Sequence, residues 1–365
     1  MIAAPVPAPA LPPLRILLTG SSGSLGRTLA PLLLRDGHTV IGLDPIPGPH
    51  TTVVGSVADR DLIRRTISGH SIDAIIHSGA LHKPDIARYP SSEFVSVNVQ
   101  GTLNLLEEAV AAKISRFVFT STTSLMISSS TRAGASAGAT CAAWISEDLA
   151  PLTPRNIYGV TKLAAEHLCR MTHEQHNLPI VILRTARFFP EADDMSQTID
   201  LSDENHKANE FLHRRLMVED AAEAHVRALS MAPSLGFDTF IVCAPTPFKR
   251  EDCAQLLSDA PFVVSRYFPS YRSLYAARGW KMAQSIDRVY DSSHAERRLG
   301  FRCKTGFAEI LASLSERPYA SSYCLTCVLI STCLHSMTLF LYGSGLDREG
   351  EQRGREHRGR AKREA

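Results

Sequence analysis

Neither sign of charge is in excess in this chain: 39 Lys and Arg stand against 37 Asp and Glu, a formal net charge of +2 over 365 residues. Without a basic field nucleic acid is not an expected partner, and without an acidic surplus the chain is no solvating tail. Aromatic residues are scarce at 7%, yet 44% of residues are hydrophobic, so disorder throughout and a collagen are excluded and a large core can be built. A disulfide framework is missing as well. The eight cysteines lie scattered at 141, 169, 243, 253, 303, 324, 327 and 333, mostly in apolar stretches, and read as reduced thiols of an intracellular, cytoplasmic protein. Cys324 and Cys327 form a CxxC with no second pair at zinc-ligand spacing, and His173-Glu-Gln-His176 is one residue short of a zincin HExxH and reads as a solvated helix face. No metal is expected.

Nothing repeats internally. Residues 1–13 alternate Ala and Pro with no unbroken apolar stretch, which makes a disordered leader and not a signal-peptide core. From Arg15 apolar runs alternate with helix-length segments, the mark of βαβ units feeding a parallel sheet. Strands are expected at residues 15–19, 38–43, 51–54, 74–77, 116–120 and 180–183, and helices at 24–35, 59–68, 93–112 and 157–174. Residues 128–143, rich in Ser, Ala and Gly, have neither period and read as a flexible insertion; 194–207 reads as a loop. Regular structure resumes over 209–231, 239–243 and 292–314.

The end of the chain differs in kind. Residues 323–342 carry no charge beyond His335, and residues 347–365 hold seven basic and five acidic residues, which is the whole net excess of two. Three readings stay open: a membrane anchor through 323–342, diluted by its Ser, Thr and Cys residues; a buried or amphipathic helix; and an appendage, or mistranslated end, outside the folded body.

The strongest local signal is Thr19-Gly20-Ser21-Ser22-Gly23-Ser24-Leu25-Gly26, between an apolar run and a helical segment. Glycines so spaced allow a tight turn and let backbone approach a pyrophosphate at a helix N-terminus, where unpaired N–H groups favour an anion. Asp44 follows Gly26 by 18 residues, at the end of the second strand. A carboxylate there accepts ribose hydroxyls and repels a 2′-phosphate, which favours NAD over NADP. The second constellation is Tyr158-Gly-Val-Thr-Lys162. An i, i+4 pair shares one helix face, so the ammonium is expected to lower the phenol pKa and fit it for proton transfer to a substrate alcohol.

Taken together, these residues resemble the extended short-chain dehydrogenase/reductases, the NAD-dependent epimerase/dehydratase family, over about residues 15–315. Further matches are Ile75-Ile76-His77-Ser78-Gly79-Ala80, Asn98-Val-Gln-Gly101-Thr102-Leu-Asn104, Phe117-Val-Phe-Thr-Ser-Thr122, Val218-Glu-Asp220-Ala-Ala and Leu299-Gly300-Phe301. The resemblance implies a Rossmann-type doubly wound parallel sheet with a smaller C-terminal substrate-binding cap: an NAD-binding domain over 14–190, the cap over 191–318 with elements returning to the core, and 319–365 outside both. It implies Tyr158 as general acid/base, Thr122 on the substrate oxygen, and Lys162 on the nicotinamide ribose. Around the cofactor it places Gly20, Gly23, Ser24, Leu25, Gly26, Asp44, Val57, Ser78, Gly79, Ala80, Asn98, Tyr158 and Lys162. Members often dimerise through the helices that here begin near Glu93 and Ile157.

Departures narrow the substrate. The family's 4,6-dehydratases carry Thr-Asp-Glu where this chain has Thr122-Thr123-Ser124, so dehydration by that route is not expected. Leu125-Met126-Ile127 replaces the family's VYG, Ser56 an Asp that reads adenine, and Arg184-Thr-Ala-Arg187 the segment where sugar epimerases hold the nucleotide with Asn. Arg187 then suits a carboxylate or other anion, or else pairs with Glu191 or Asp193. His82 and Lys83 follow the fourth strand and either contact substrate or are plain loop residues. The leading expectation is NAD-dependent hydride transfer on a secondary alcohol or ketone of a small polar metabolite: a sugar, sugar acid or secondary-metabolite intermediate. The alternatives are a nucleotide-sugar epimerase and a non-catalytic NAD-sensing or scaffold protein.

Overall fold

The computed structural model describes residues 11–188 and 201–316. Seven strands form one sheet: β1 (Arg15–Thr19), β2 (Thr39–Asp44), β3 (Val53–Val54), β4 (Ala74–His77), β5 (Phe117–Thr122), β7 (Ile180–Thr185) and β8 (Phe237–Val242), in the order β3-β2-β1-β4-β5-β7-β8. Every pairing in it is parallel. Such a sheet is covered on both faces, which is why its inner strands, ILLT, AIIH, FVFTST and IVILRT, are buried almost throughout. The remaining strands, β6 (Ala143–Ile145) and β9 (Arg288–Tyr290), pair with each other in a small second sheet.

Helices alternate with the strands: α1 (Ser24–Arg35), α2 (Arg60–His70), α3 (Ser91–Phe94), α4 (Gly101–Ala111), α5 (Ser129–Ala133), α6 (Ile157–His176), α7 (Asp203–Glu210), α8 (Val218–Leu235), α9 (Cys253–Ser258), α10 (Ala260–Tyr267), α11 (Tyr271–Ala276) and α12 (Phe307–Ser315). Side chains alternate across a strand, so Ile16, Leu18, Val181 and Leu183 meet α1 and α8 on one face. Leu17, Ile75, Phe117, Phe119, Ile180 and Ile182 meet α2, α4 and α6 on the other. A third cluster joins Ala208, Leu212, Leu256, Val263, Tyr275, Val289 and Phe307. The strand order reverses between β1 and β4, and the carboxyl ends of strands at such a switch point form the crevice where ligands bind in open α/β sheets.

Two expectations are corrected. Residues 128–143 are not without structure: the Ser128 hydroxyl caps α5 by accepting from Thr131 N–H at 3.0 Å, and Ala143 opens β6, whose partner β9 lies too far along the chain for local periodicity to reveal it. The loop expected over 194–207 gives way at Ser202, which caps α7 with Asp203 and Glu204 in its first turn. The helix expected over 93–112 is real but passes through a π segment at Val95–Gln100. Residues 1–10, 189–200 and 317–365 lie outside the described residues, and with them most of the Ala/Pro leader, Glu191, Asp193, the CxxC and the 323–342 run. Among the described residues no helix is long and apolar enough to cross a membrane.

Candidate active site

The glycine loop joins β1 to α1 at the switch point. Gly20 has φ +75°, and a Cβ there would lie 2.7 Å from Gly79 N and 2.8 Å from its Cα, so glycine is required both by conformation and by the close approach of the β4 end. A Cβ at Gly26 would lie 2.1 Å from the Gly20 carbonyl oxygen. Gly23 stands at the N-cap of α1 with no side-chain cap, and no acidic residue occupies the first turn. This is a helix N-terminus fit for the pyrophosphate of a dinucleotide. Asp44 is buried at 6% exposure, and its carboxylate accepts Ser22 N–H at 3.1 Å and Ile46 N–H at 2.8 Å, which holds it beside the loop. Ser78 and Gly79 close the crevice, the Ser78 hydroxyl donating to Thr19 O at 2.7 Å and Gly79 N–H to Thr19 Oγ1 at 3.0 Å, with Ala80 next in the chain. Leu25 and Val57 put their side chains into the hydrophobic core, which leaves only backbone for a ligand, while Ser24 opens α1.

Asn98 does something the motif did not announce. Its Oδ1 accepts Leu81 N–H at 2.8 Å, and its Nδ2 donates to Leu81 O at 3.0 Å and to Thr161 Oγ1 at 3.1 Å. The amide therefore clamps the loop after β4 onto α6. That loop brings the His82 ring to 4.9 Å from the Tyr158 ring, edge to face, while Lys83 begins the next turn.

Thr122 ends β5, Tyr158 lies in the first turn of α6, and Lys162 follows one turn later; all three are at most 8% exposed. The start of α6 is set by Asn156, whose side chain accepts Gly159 N–H at 2.9 Å. Burial pushes the Tyr158 phenol above its ordinary value; the neighbouring Thr122 hydroxyl opposes the rise, and the Asp85 charge adds to it. This corrects the expectation that Lys162 lowers the phenol. Lys162 Nζ lies 4.2 Å over the Phe119 ring, and burial lowers the ammonium to about 8 against the opposing charge of Glu166. Burial dominates both groups, and neither contributes to the other's shift.

Arg187 follows β7 and is held toward Glu210 at 3.9 Å, beside Arg214 at 2.9 Å and Arg215 at 2.8 Å from the same carboxylate. Burial pushes Glu210 up, but Arg214, His206, Arg215 and Arg187 outweigh it and hold the carboxylate well below its usual range. His82 is lowered to about 3, first by burial and then by Lys162, Arg187 and Lys83, so it stays neutral and faces the same cleft as these cations. Glu210, Arg214 and Arg215 were missed from sequence, although the i, i+4 spacing of Glu210 and Arg214 was a readable signal.

Buried neutral histidines support the floor. Thr102 Oγ1 donates to Asn98 O at 2.6 Å, so His77 Nε2 must donate to Thr102 at 3.1 Å and His77 Nδ1 accept from Thr19 Oγ1 at 2.7 Å. His225 Nδ1 donates to Ala221 O, and its Nε2 accepts from Thr120 Oγ1, both at 2.7 Å. Burial lowers His77 and His213 well below the usual value and His225 to about 4. Each then takes up a proton on unfolding between its unfolded value of about 6.5 and its folded value. Stability is therefore intact above about pH 6.5 and lost as pH falls, with about four protons taken up per molecule near pH 5 when the neutral His82 is counted with these three. Urea midpoints measured from pH 7 to 4 check this. A slope of one proton or less would mean that these rings are charged in the folded protein.

Known proteins resemble this chain in family and in fold. Residues 16–242 match the model of the NAD dependent epimerase/dehydratase family. A UDP-glucose 4-epimerase of Azospirillum brasilense is 30% identical over 179 residues, 47% of this chain and 48% of that protein. L-arabinose 1-dehydrogenase (NAD(P)(+)) of Haloferax volcanii is 31% identical over 198 residues, 51% of this chain and 71% of that enzyme. Against a low-salt glycan biosynthesis protein of the same organism the match spans 56% of its length, so the chain spans about half the length of most curated relatives named here. The solved structure of the UDP-Glc/GlcNAc 4-epimerase of Campylobacter jejuni superposes with TM-score 0.61 at 17% identity, covering 83% of this chain and 98% of that one, a likeness of fold.

Proposed function

Because the chain belongs to the NAD dependent epimerase/dehydratase family of extended short-chain dehydrogenase/reductases, we propose that it is an oxidoreductase that moves hydride between NAD and a secondary alcohol or ketone of a small, polar, anionic metabolite. The observation that carries the reading is the convergence of three buried side chains, Thr122 at the carboxyl end of β5 with Tyr158 and Lys162 in the first turns of α6, where Lys162 Nζ lies 4.2 Å over the Phe119 ring of the same strand.

NAD, when bound, supplies the hydride acceptor or donor. Gly20, Gly23 and Gly26 with the start of α1 would hold its pyrophosphate, Asp44 the adenosine ribose, and Ser78, Gly79 and Ala80 its underside. Asp44 also supports NAD over NADP, since a buried carboxylate repels a 2′-phosphate. The Tyr158 phenol, kept protonated by burial, would give its proton to a substrate carbonyl oxygen in the direction of reduction; in the direction of alcohol oxidation it must first lose that proton, and the phenolate then takes the alcohol's. Thr122 holds the same oxygen, and Lys162 sustains a positive field under the site. Arg187, oriented by Glu210, supports recognition of a carboxylate, with His82 and Lys83 on the rim. Half-exposed Val95, Val160 and Met171 at 48%, 47% and 40% on the α3 to α6 face support a homodimer.

The test is a spectrophotometric screen of the whole protein with NAD or NADP against uronates, hydroxy acids, neutral sugars and UDP-glucose. Reduction of NAD by one of the acids is expected, with NADP poorer. Turnover of UDP-glucose without net reduction would favour the epimerase reading suggested by the 4-epimerase relatives.

A further inference from the structure

Asp44 is held by two residues that are themselves tied to each other. Its Oδ2 accepts Ser22 N–H at 3.1 Å and its Oδ1 accepts Ile46 N–H at 2.8 Å, while the Ser22 hydroxyl donates to Ile46 O at 2.6 Å. Ser22, Asp44 and Ile46 so close a ring of hydrogen bonds between the glycine loop and the segment that leaves β2. We propose, on the reading of Asp44 as the ligand of the adenosine ribose, that Ser22 and Thr51 are positioning residues that set the preference for NAD over NADP by fixing that carboxylate.

The protons order the hydroxyls. Ser22 Oγ has one proton and gives it to Ile46 O, so in its contact with Thr51 Oγ1 at 2.7 Å it must accept. Thr51 therefore donates to Ser22 and accepts from the buried Ser21 hydroxyl at 2.8 Å. The chain runs from Ser21 through Thr51 and Ser22 to the Ile46 carbonyl, each bond polarising the next.

Little else fixes this segment. Pro45, Ile46, Pro47 and Pro49 are exposed, Ile46 at 66%, and the backbone is next anchored to β2 at Thr52, whose N–H donates to Gly42 O at 2.8 Å. With those side chains in solvent, the segment keeps its place against the glycine loop through the hydroxyl chain. Selectivity follows from that rigidity. A 2′-phosphate is admitted only if the carboxylate turns away, and in the closed ring a turn costs buried Asp44 both of its backbone donors. Once the hydroxyl chain is cut, Ile46 can move with the carboxylate and the donors need not be lost.

The test titrates the full chain with NAD and with NADP by calorimetry and compares the two affinities. Thr51→Val keeps the shape and removes the hydroxyl; it should lower the ratio of NAD to NADP affinity at least about threefold, the worth of one neutral hydrogen bond. Thr51→Ser keeps the hydroxyl and should hold the ratio within about twofold of the wild type. Ser22→Ala removes the bonds to both Ile46 and Thr51 and should lower the ratio about tenfold. Asp44→Asn is the reference, since it lowers the ratio whether or not the hydroxyls matter. A merely structural role would weaken both cofactors alike. Ratios unchanged in Thr51→Val and Ser22→Ala but lowered in Asp44→Asn would overturn the proposal alone, as would a fall in Thr51→Ser equal to that in Thr51→Val. An unchanged ratio in Asp44→Asn, or a wild type that binds neither cofactor or both equally, would overturn it together with the reading of Asp44. Circular dichroism checks each fold, and the Thr51 pair carries the test if Ser22→Ala does not fold.

Discussion

Replacing Tyr158 by Phe is expected to lower turnover by about 10²- to 10⁴-fold, the usual worth of a positioned general acid/base, while cofactor affinity stays unchanged. The substitution is conservative for packing. The ring keeps its edge-to-face contact with His82 at 4.9 Å, and Thr122 Oγ1 still accepts Ser124 N–H at 3.1 Å when the phenol oxygen is gone. Only the proton donor is lost. Single-turnover absorbance of the reduced cofactor measures the first effect, and quenching of protein fluorescence by NAD the second. Equal turnover in both proteins would sink the assignment of Tyr158. A wild-type protein that binds NAD and turns over none of the screened substrates would instead favour the sensing or scaffold reading, so the two failures can be told apart.

The second large effect is expected from Gly26→Ala. The added methyl would meet the Gly20 carbonyl oxygen at 2.1 Å, Ser21 Cα at 2.7 Å and the Gly20 carbonyl carbon at 2.9 Å, all of them backbone. No rotamer change relieves this, so the loop itself must move. Overpacking of this kind costs about 1–3 kcal/mol, and a displaced loop should weaken NAD by at least about tenfold, the equivalent of 1.4 kcal/mol. Gly69→Ala is the control. It lies in α2 with nothing within 4 Å of its added Cβ, and should raise stability by roughly 0.5–1 kcal/mol through helix propensity while leaving NAD affinity alone. NAD titrations and urea midpoints on both variants check the pair. Undiminished NAD affinity in Gly26→Ala would mean that the loop does not hold the cofactor.

Much of this was legible without coordinates. Inner strands of a parallel sheet are buried on both faces, so their apolar runs are continuous and β1 and β4 begin and end where the run does. The end of β5 was less legible, because Ser121 and Thr122 extend the strand with polar side chains: Ser121 Oγ donates to Glu166, far along the chain, and Thr122 Oγ1 accepts Ser124 N–H. The glycine loop could be read because its constraint is local: a positive φ at Gly20 and a helix starting at Ser24, directly after Gly23, are written in the residues themselves.

What the sequence by itself determined is therefore the alternation of strands and helices, the glycine turn, the carboxylate at Asp44 and the spacing of Tyr158 and Lys162. Each depends on interactions within a few residues, or on periodicity, and both are properties of a linear string. Tertiary structure alone decided the rest. It set the raised phenol and the lowered ammonium, since desolvation depends on what the whole fold packs around a group. It turned Asn98 into a clamp on the loop after β4. It also gathered Arg187, Arg214 and Arg215 around Glu210, and paired Arg184 with Glu166, because α6, β7 and α7 meet only when the sheet is wound.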